Sequence, residues 1–235
     1  MSKYFPLIIG LIFFLLTGCI SNELQHAASE AGKTIRAGKT TIVKGVATST
    51  NKEIYKSLNL EFSDFTDVSK NYNNEKLSSL SALEFFKNLN PNDYLGYSKI
   101  QVTLHRGDTT VETLHDIERL SKVMSQLKIV ESFLNTIRLK SYKDYEKLID
   151  FGDYKKEVQL SVYNGFMDKD WLNGDISGIK LTGFRFTESK DKKIPETILW
   201  FELNHANGNF QLNFRIDERT NKIIEVDLAK IFHAI

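Results

Sequence analysis

Gly-Lys-Thr occurs twice within nine residues, as Gly32-Lys33-Thr34 and Gly38-Lys39-Thr40. A glycine followed by lysine and a hydroxyl is the end of a phosphate-binding loop, where backbone N–H groups and the lysine hold the phosphates. That loop also needs a glycine five residues earlier and a strand in front. The two positions hold Ala27 and Lys33, and no apolar strand precedes either. No nucleotide is expected. The five histidines, His26, His105, His115, His205 and His233, are scattered, with no pair four apart on a helix, so no metal is expected. His115 reads as a surface residue at a helix start, and His205 as part of an exposed turn. No G-x-S-x-G is present, and the carboxylates have no spacing that selects an acid–base pair. No catalytic residue and no cofactor are assigned. Trp171, in the polar stretch DKDWLNGD, is a candidate partner-binding residue, since an indole joins a large apolar face to one donor; it could equally cap a core.

Cys19 is the single cysteine. It follows Lys3, an apolar run from Phe5 to Leu16, and Thr17-Gly18. The run is shorter than the roughly 20 residues of a membrane span and suits the core of a secretory signal. Leu16-Thr17-Gly18-Cys19 resembles the lipobox of bacterial lipoproteins. The resemblance covers residues 1–19. It implies cleavage between Gly18 and Cys19, a diacylglyceryl group on the Cys19 sulfur, and usually an N-acyl chain such as palmitate. Ile20 follows instead of the aspartate that commonly retains such proteins at the inner membrane. The implied location is the cell envelope: the periplasmic face of the outer membrane in a Gram-negative organism, or the outer face of the plasma membrane in a Gram-positive one.

The whole chain of 235 residues carries 31 basic and 30 acidic residues. Losing residues 1–18 removes Lys3 and no acid, so the remainder is balanced. A balanced surface argues against a nucleic-acid partner. Hydrophobic content of 41%, with 16 Phe and 9 Tyr, implies a folded core and not a disordered chain.

The elements that must position these residues follow from periodicity. Leu24, Ala28, Ala31, Ile35, Gly38, Ile42 and Val46 recur every three or four residues. They predict an amphipathic helix or tether over 19–50, of the lysine- and threonine-rich texture seen in lipid-surface helices. Residues 51–93 read as short helices and loops, including NKEIYKSLNLEF and EKLSSLSALEFFKNL. Ile100, Val102 and Leu104 alternate up to Gly107-Asp108 and predict a hairpin. In that setting Arg106-Gly107-Asp108 is turn chemistry and no adhesion motif. A long helix runs from about Asp116 through Leu127, Leu134 and Ile137, followed by a short one in SYKDYEKLID. Beyond Gly152 the period becomes two: Val158–Val162, then Ile179–Phe186 with a bulge at Gly183, then Ile198–Leu203, Phe210–Ile216 and Ile224–Leu228. Asn207-Gly208 marks a tight turn.

The expected fold is α+β: N-terminal helices, then a long helix packed on a twisted antiparallel meander sheet. Leu127, Leu134, Phe210, Leu212 and Phe214 form its expected core. The expected organisation is a signal (1–18), the lipidated segment (19–50) and an α+β domain (51–235) with parts 51–113 and 114–235. The order of elements over 115–230 is similar to cystatin-like and nuclear-transport-factor-like domains, folds that can have a pocket between helix and sheet. Three functions follow. The first is a non-catalytic binding or assembly module for a protein partner or apolar ligand. The second is a structural membrane-surface protein acting through 22–50. The third is a small hydrolase or isomerase using the helix–sheet pocket. The residues favour the first.

Overall fold

The computed structural model describes residues 20–48, 54–66, 72–139, 141–152, 178–189, 193–205 and 208–230, with isolated positions at 157, 160, 161 and 164. The chain is α+β and divides into two compact units, Met1–Leu120 and Ser121–Ile235. The boundary falls inside the long helix.

The first unit opens with helix α1 (Asn22–Thr34), whose Ser21 side chain caps it by accepting from the Leu24 N–H. Strand β1 (Ala37–Thr48) and strand β2 (Ile54–Phe65) form a long antiparallel pair. Helix α2 (Asn74–Lys87) then carries the chain back to strand β3 (Lys99–Arg106), which runs parallel to β2. Strand β4 (Thr109–Asp116) returns antiparallel to β3, through a turn where Gly107 holds a φ of 59°. The sheet order is β1-β2-β3-β4. On its inner face Ile42, Leu60, Val102 and Thr113 lie in one row, and Lys44, Leu58, Ile100 and His115 in the next. Leu58, Leu60, Phe62, Ile100 and Val102 are fully buried with the helix residues Ala27, Ala31, Leu83 and Phe85.

The continuous helix expected across residues 22–50 is therefore corrected: it stops at Thr34. Arg36, with a φ of 58°, reverses the chain and β1 begins. Of the helix expected over NKEIYKSLNLEF, the part from Ile54 onward is strand β2, and residues 51–53 lie outside the described residues. Both misreadings have one cause. A spacing of four fits a helix turn and is also two periods of a strand, so Gly38, Ile42 and Val46 share a face in either. The β-branched run Thr40-Thr41-Ile42-Val43 fits a pleated strand better than a helix.

The second unit holds most of helix α3 (Ile117–Arg138), helix α4 (Tyr142–Leu148) and a meander. The meander consists of β5 (Ile179–Glu188), β6 (Pro195–His205), β7 (Gly208–Asp217) and β8 (Lys222–Lys230), each antiparallel to the next. The bulge expected at Gly183 is present, as a register shift between Leu181 and Gly183. Leu134, Leu212 and Phe214 are buried as expected, while Leu127 and Phe210 are half-buried. Phe133 supplies the central helix contact instead, with its ring 5.4 Å from that of Phe214 and 5.5 Å from that of Tyr145. The strand expected at 158–162 is corrected in part. Leu160 and Ser161 are helical, and Val158 and Val162 lie outside the described residues.

Candidate binding groove

Both Gly-Lys-Thr triplets flank the α1–β1 reversal, and packing accounts for their glycines. A Cβ on Gly32 would collide with Thr40 Oγ1 on β1, and one on Gly38 would lie 2.7 Å from the Asp64 carbonyl oxygen on β2. Lys33 is exposed and ion-paired to Glu30 at 2.6 Å, one turn back on α1.

This close approach opens a groove of about 550 Å³ between α1 and β1. Ala28 and Ser29 form its helix wall, Thr40 and Ile42 its strand wall, Ile20 closes one end, and Lys33 lies at the side. The small helix residues leave the room; longer side chains there would fill it. Among the described residues β1 is an edge strand of its sheet. Lys33 is the one titratable group in the lining. The groove offers apolar contact and hydroxyls, and its lining residues include no carboxylate or histidine.

A second cluster is polar and part-buried. Ser78 on α2 meets Thr113 and His115 on β4: its hydroxyl is 2.9 Å from His115 Nε2 and in close contact with Thr113 Oγ1. Thr113 Oγ1 is also 3.3 Å from Nε2. His115 is thus not a surface residue at a helix start. Strand parity puts it on the covered face of the sheet. Burial pushes its pKa down to about 4, with Asp116 opposing, so the ring is neutral near pH 7. A serine within reach of a neutral imidazole has the form of a nucleophile and base. Ser78, however, is only 1% exposed and shares its hydroxyl with Thr113, so no substrate reaches it. No spacing rule could have found this cluster, because Ser78 and His115 are joined by the fold alone.

Charged groups also gather on the second unit's sheet. Arg219 grips the buried Asp217 carboxylate at 2.8 and 3.1 Å and holds its pKa below the usual range. Glu196 lies opposite Asp217 across β6 and β7; burial raises its pKa and Arg215, 3.5 Å away, opposes. These carboxylates are held by guanidinium groups as structural ties. The helix–sheet interface of this unit contains the packed rings of Phe133, Tyr145, Phe201 and Phe214.

The other sequence candidates are dispersed. Gly18, Cys19, Trp171 and His233 lie outside the described residues, as does the His205 side chain. His26 is exposed on α1, and His105 contacts Thr110 at 3.1 Å. Arg106 donates to Asn74 Oδ1 at 2.8 Å, so the Arg-Gly-Asp turn ties β3 to the start of α2. Among the described residues no cluster of His, Cys, Asp and Glu could hold a metal, and no helix is long and apolar enough to cross a membrane. No protein-family model matches the chain, and neither a curated protein nor a solved structure does.

Proposed function

We propose that this protein is a lipid-anchored component of the bacterial cell envelope that acts by binding a protein partner or apolar ligand in the α1–β1 groove. The observation that carries this reading is the short connection between lipobox and fold. Ser21 already caps α1, so only Ile20 and Ser21 separate Cys19 from the first helical residue. Three Cα steps span at most about 11 Å. Acyl chains on Cys19 would hold the first unit against the bilayer surface with no tether between. Ile20 lines the groove, so the groove would open beside the anchor. The absence of aspartate after Cys19 favours the periplasmic face of the outer membrane in a Gram-negative cell; in a Gram-positive one the outer face of the plasma membrane applies.

The test has two arms. Fatty-acid labelling and membrane fractionation of the parent and of Cys19→Ala should show label and retention lost together. Label and retention that survive in the variant overturn the anchor. A photo-crosslinking residue at Ser29, in the groove, should capture a defined partner that one at Glu112, on the exposed face of β4, does not. Equal capture from both positions overturns the groove.

A further inference from the structure

The inner face of the first sheet continues beyond its cover. Pairing of β2 with β3 begins at Ser57 and Lys99, so Ile54–Lys56 and their β1 partners Val46–Thr48 project as a two-stranded extension. On β2, Ile54 and Lys56 share the face of Leu58, Leu60 and Phe62, and Val46 faces Lys56. Where the buried face holds leucine and phenylalanine, the extension exposes Val46 by 69% and Ile54 by 76%. A two-stranded ribbon of this kind is marginal in water by itself.

A third apolar residue lies at the same end. Leu95, 79% exposed, belongs to the turn before β3, and the Ser98 N–H just beyond it donates to the Lys56 carbonyl at 3.1 Å. Val46, Ile54 and Leu95 are the three most exposed large apolar side chains of this unit among the described residues. They share one end of one sheet. Lys56 lies on the extension and Lys44 in the first inner-face row of the full sheet beside it, and the nearby Asp93 carboxylate accepts from the Asn90 N–H at 2.9 Å.

The start of α1 faces the same way. The chain reverses at Ile35–Arg36, and α1 and β1 then run back side by side along the groove. The helix has 13 residues and spans about 20 Å at 1.5 Å each. The strand has 12 and spans about 40 Å at 3.3 Å each. The end of β1 therefore reaches well past the helix start, where Cys19 joins.

We propose that this end of the unit is a membrane-contacting surface, in which Val46, Ile54 and Leu95 enter the lipid interface and Lys44 and Lys56 meet anionic headgroups. It rests on the reading of Cys19 as acylated. Three apolar side chains alone would bind a bilayer weakly. An anchor that already holds the unit at the surface makes weak contact sufficient, because the second attachment is intramolecular. The contact would fix the unit's orientation on the membrane and with it the direction in which the groove opens. A second copy of the chain is the poorer occupant, since a two-fold contact through this surface brings Lys44 and Lys56 toward their own counterparts.

The test uses the full acylated chain reconstituted in vesicles of phosphatidylethanolamine and phosphatidylglycerol. Acylation blocks the only native cysteine, so Ile54→Cys, Leu95→Cys and Thr109→Cys can each take one environment-sensitive fluorophore. Thr109 lies at the opposite end of the sheet. Labels at positions 54 and 95 should shift to the blue and be quenched by spin-labelled lipid several-fold more than the label at 109. Adding Val46→Glu should reduce the quenching at 95. Equal quenching at all three positions overturns the proposal. So does a blue shift at 54 that needs no vesicles and grows with protein concentration, which identifies a second copy as the occupant. A second label taken by Cys19 itself shows that the anchor reading has failed. The surface is then judged with Cys19→Ser protein added to the same vesicles, where salt-sensitive quenching at 54 upholds it and none rejects it.

Discussion

The two sheets of this protein are covered in different ways. In the second unit large rings fill the space between helix and sheet: Phe133 and Tyr145 from the helices, Phe201 and Phe214 from the strands. In the first unit small helix residues, Ala27, Ala31 and Gly32, bring α1 down onto the strands, and the covered face changes from leucine and valine to Thr113 and His115 at the β4 edge. The first design leaves a groove at one edge and an uncovered apolar end. The second ties its exposed surface with Arg–carboxylate contacts. Close backbone approach makes grooves, because a side chain that is missing cannot fill the space beside it; ring packing closes them.

The contrast is broken most strongly at Phe214. Phe214→Ala removes a fully buried ring that touches both Phe133 and Phe201, and should cost about 3–5 kcal/mol in a denaturant titration. A loss below about 1 kcal/mol would mean that this face of β7 is not the covered one.

The polar row of the first unit gives the next largest effect, through pH. His115 has a folded pKa of about 4 against 6.5 when free, so the unfolded chain takes up a proton first. Its contribution is complete above about 6.5 and is lost as the pH falls toward 4. The drop from 6.5 to about 4 corresponds to at most about 3 kcal/mol. His115→Gln keeps an acceptor for Ser78 and has no such titration. The stability of the parent relative to this variant should fall between neutrality and pH 4, and parallel curves would remove His115 from the acid response.

One residue of the second unit departs from its own unit's pattern. Gln126 on α3 is fully buried, and neither amide atom has a hydrogen-bond partner. Gln126→Leu should therefore stabilise the protein by about 1–2 kcal/mol, since it removes an unmet desolvation cost. A destabilised variant would show that the amide has a polar contact to lose.

The smallest effect separates two helix starts. Asn73 caps α2 by accepting from the Lys76 N–H at 2.8 Å, whereas Ser141 at α4 makes no such bond to the backbone. Asn73→Ala should cost about 1 kcal/mol and Ser141→Ala clearly less, both read from thermal midpoints. Equal losses would mean that the Asn73 bond contributes nothing.

Much of the second unit was legible because its strands alternate cleanly. Phe210, Leu212, Phe214 and Ile216 leave no helical alternative, and a glycine that breaks the phase, Gly183, marks a bulge. The first unit was legible in α2 and in the β3–β4 hairpin and was misread in β1 and β2. An edge strand covered on half of one face has little contrast between its sides: Thr40 and Ile42 are half-buried, while Thr41 and Val43 are exposed. Without that contrast, spacing by four reads as a helix. The groove was invisible for the same reason, since its walls were read as one continuous element.

By itself the sequence determined the α+β class, the lipobox resemblance ending at Cys19, the long helix α3 and the meander, because each is carried by residues close together in the chain. The first sheet, its parallel β2–β3 pairing, the groove, the Ser78–His115 contact and the uncovered end with Val46, Ile54 and Leu95 were decided only in three dimensions. The groove depends on the reversal at Arg36, which four-residue spacing passes over; the others join residues far apart in the chain, and local periodicity carries no information about which distant backbone will complete a sheet or which face will be left without a neighbour.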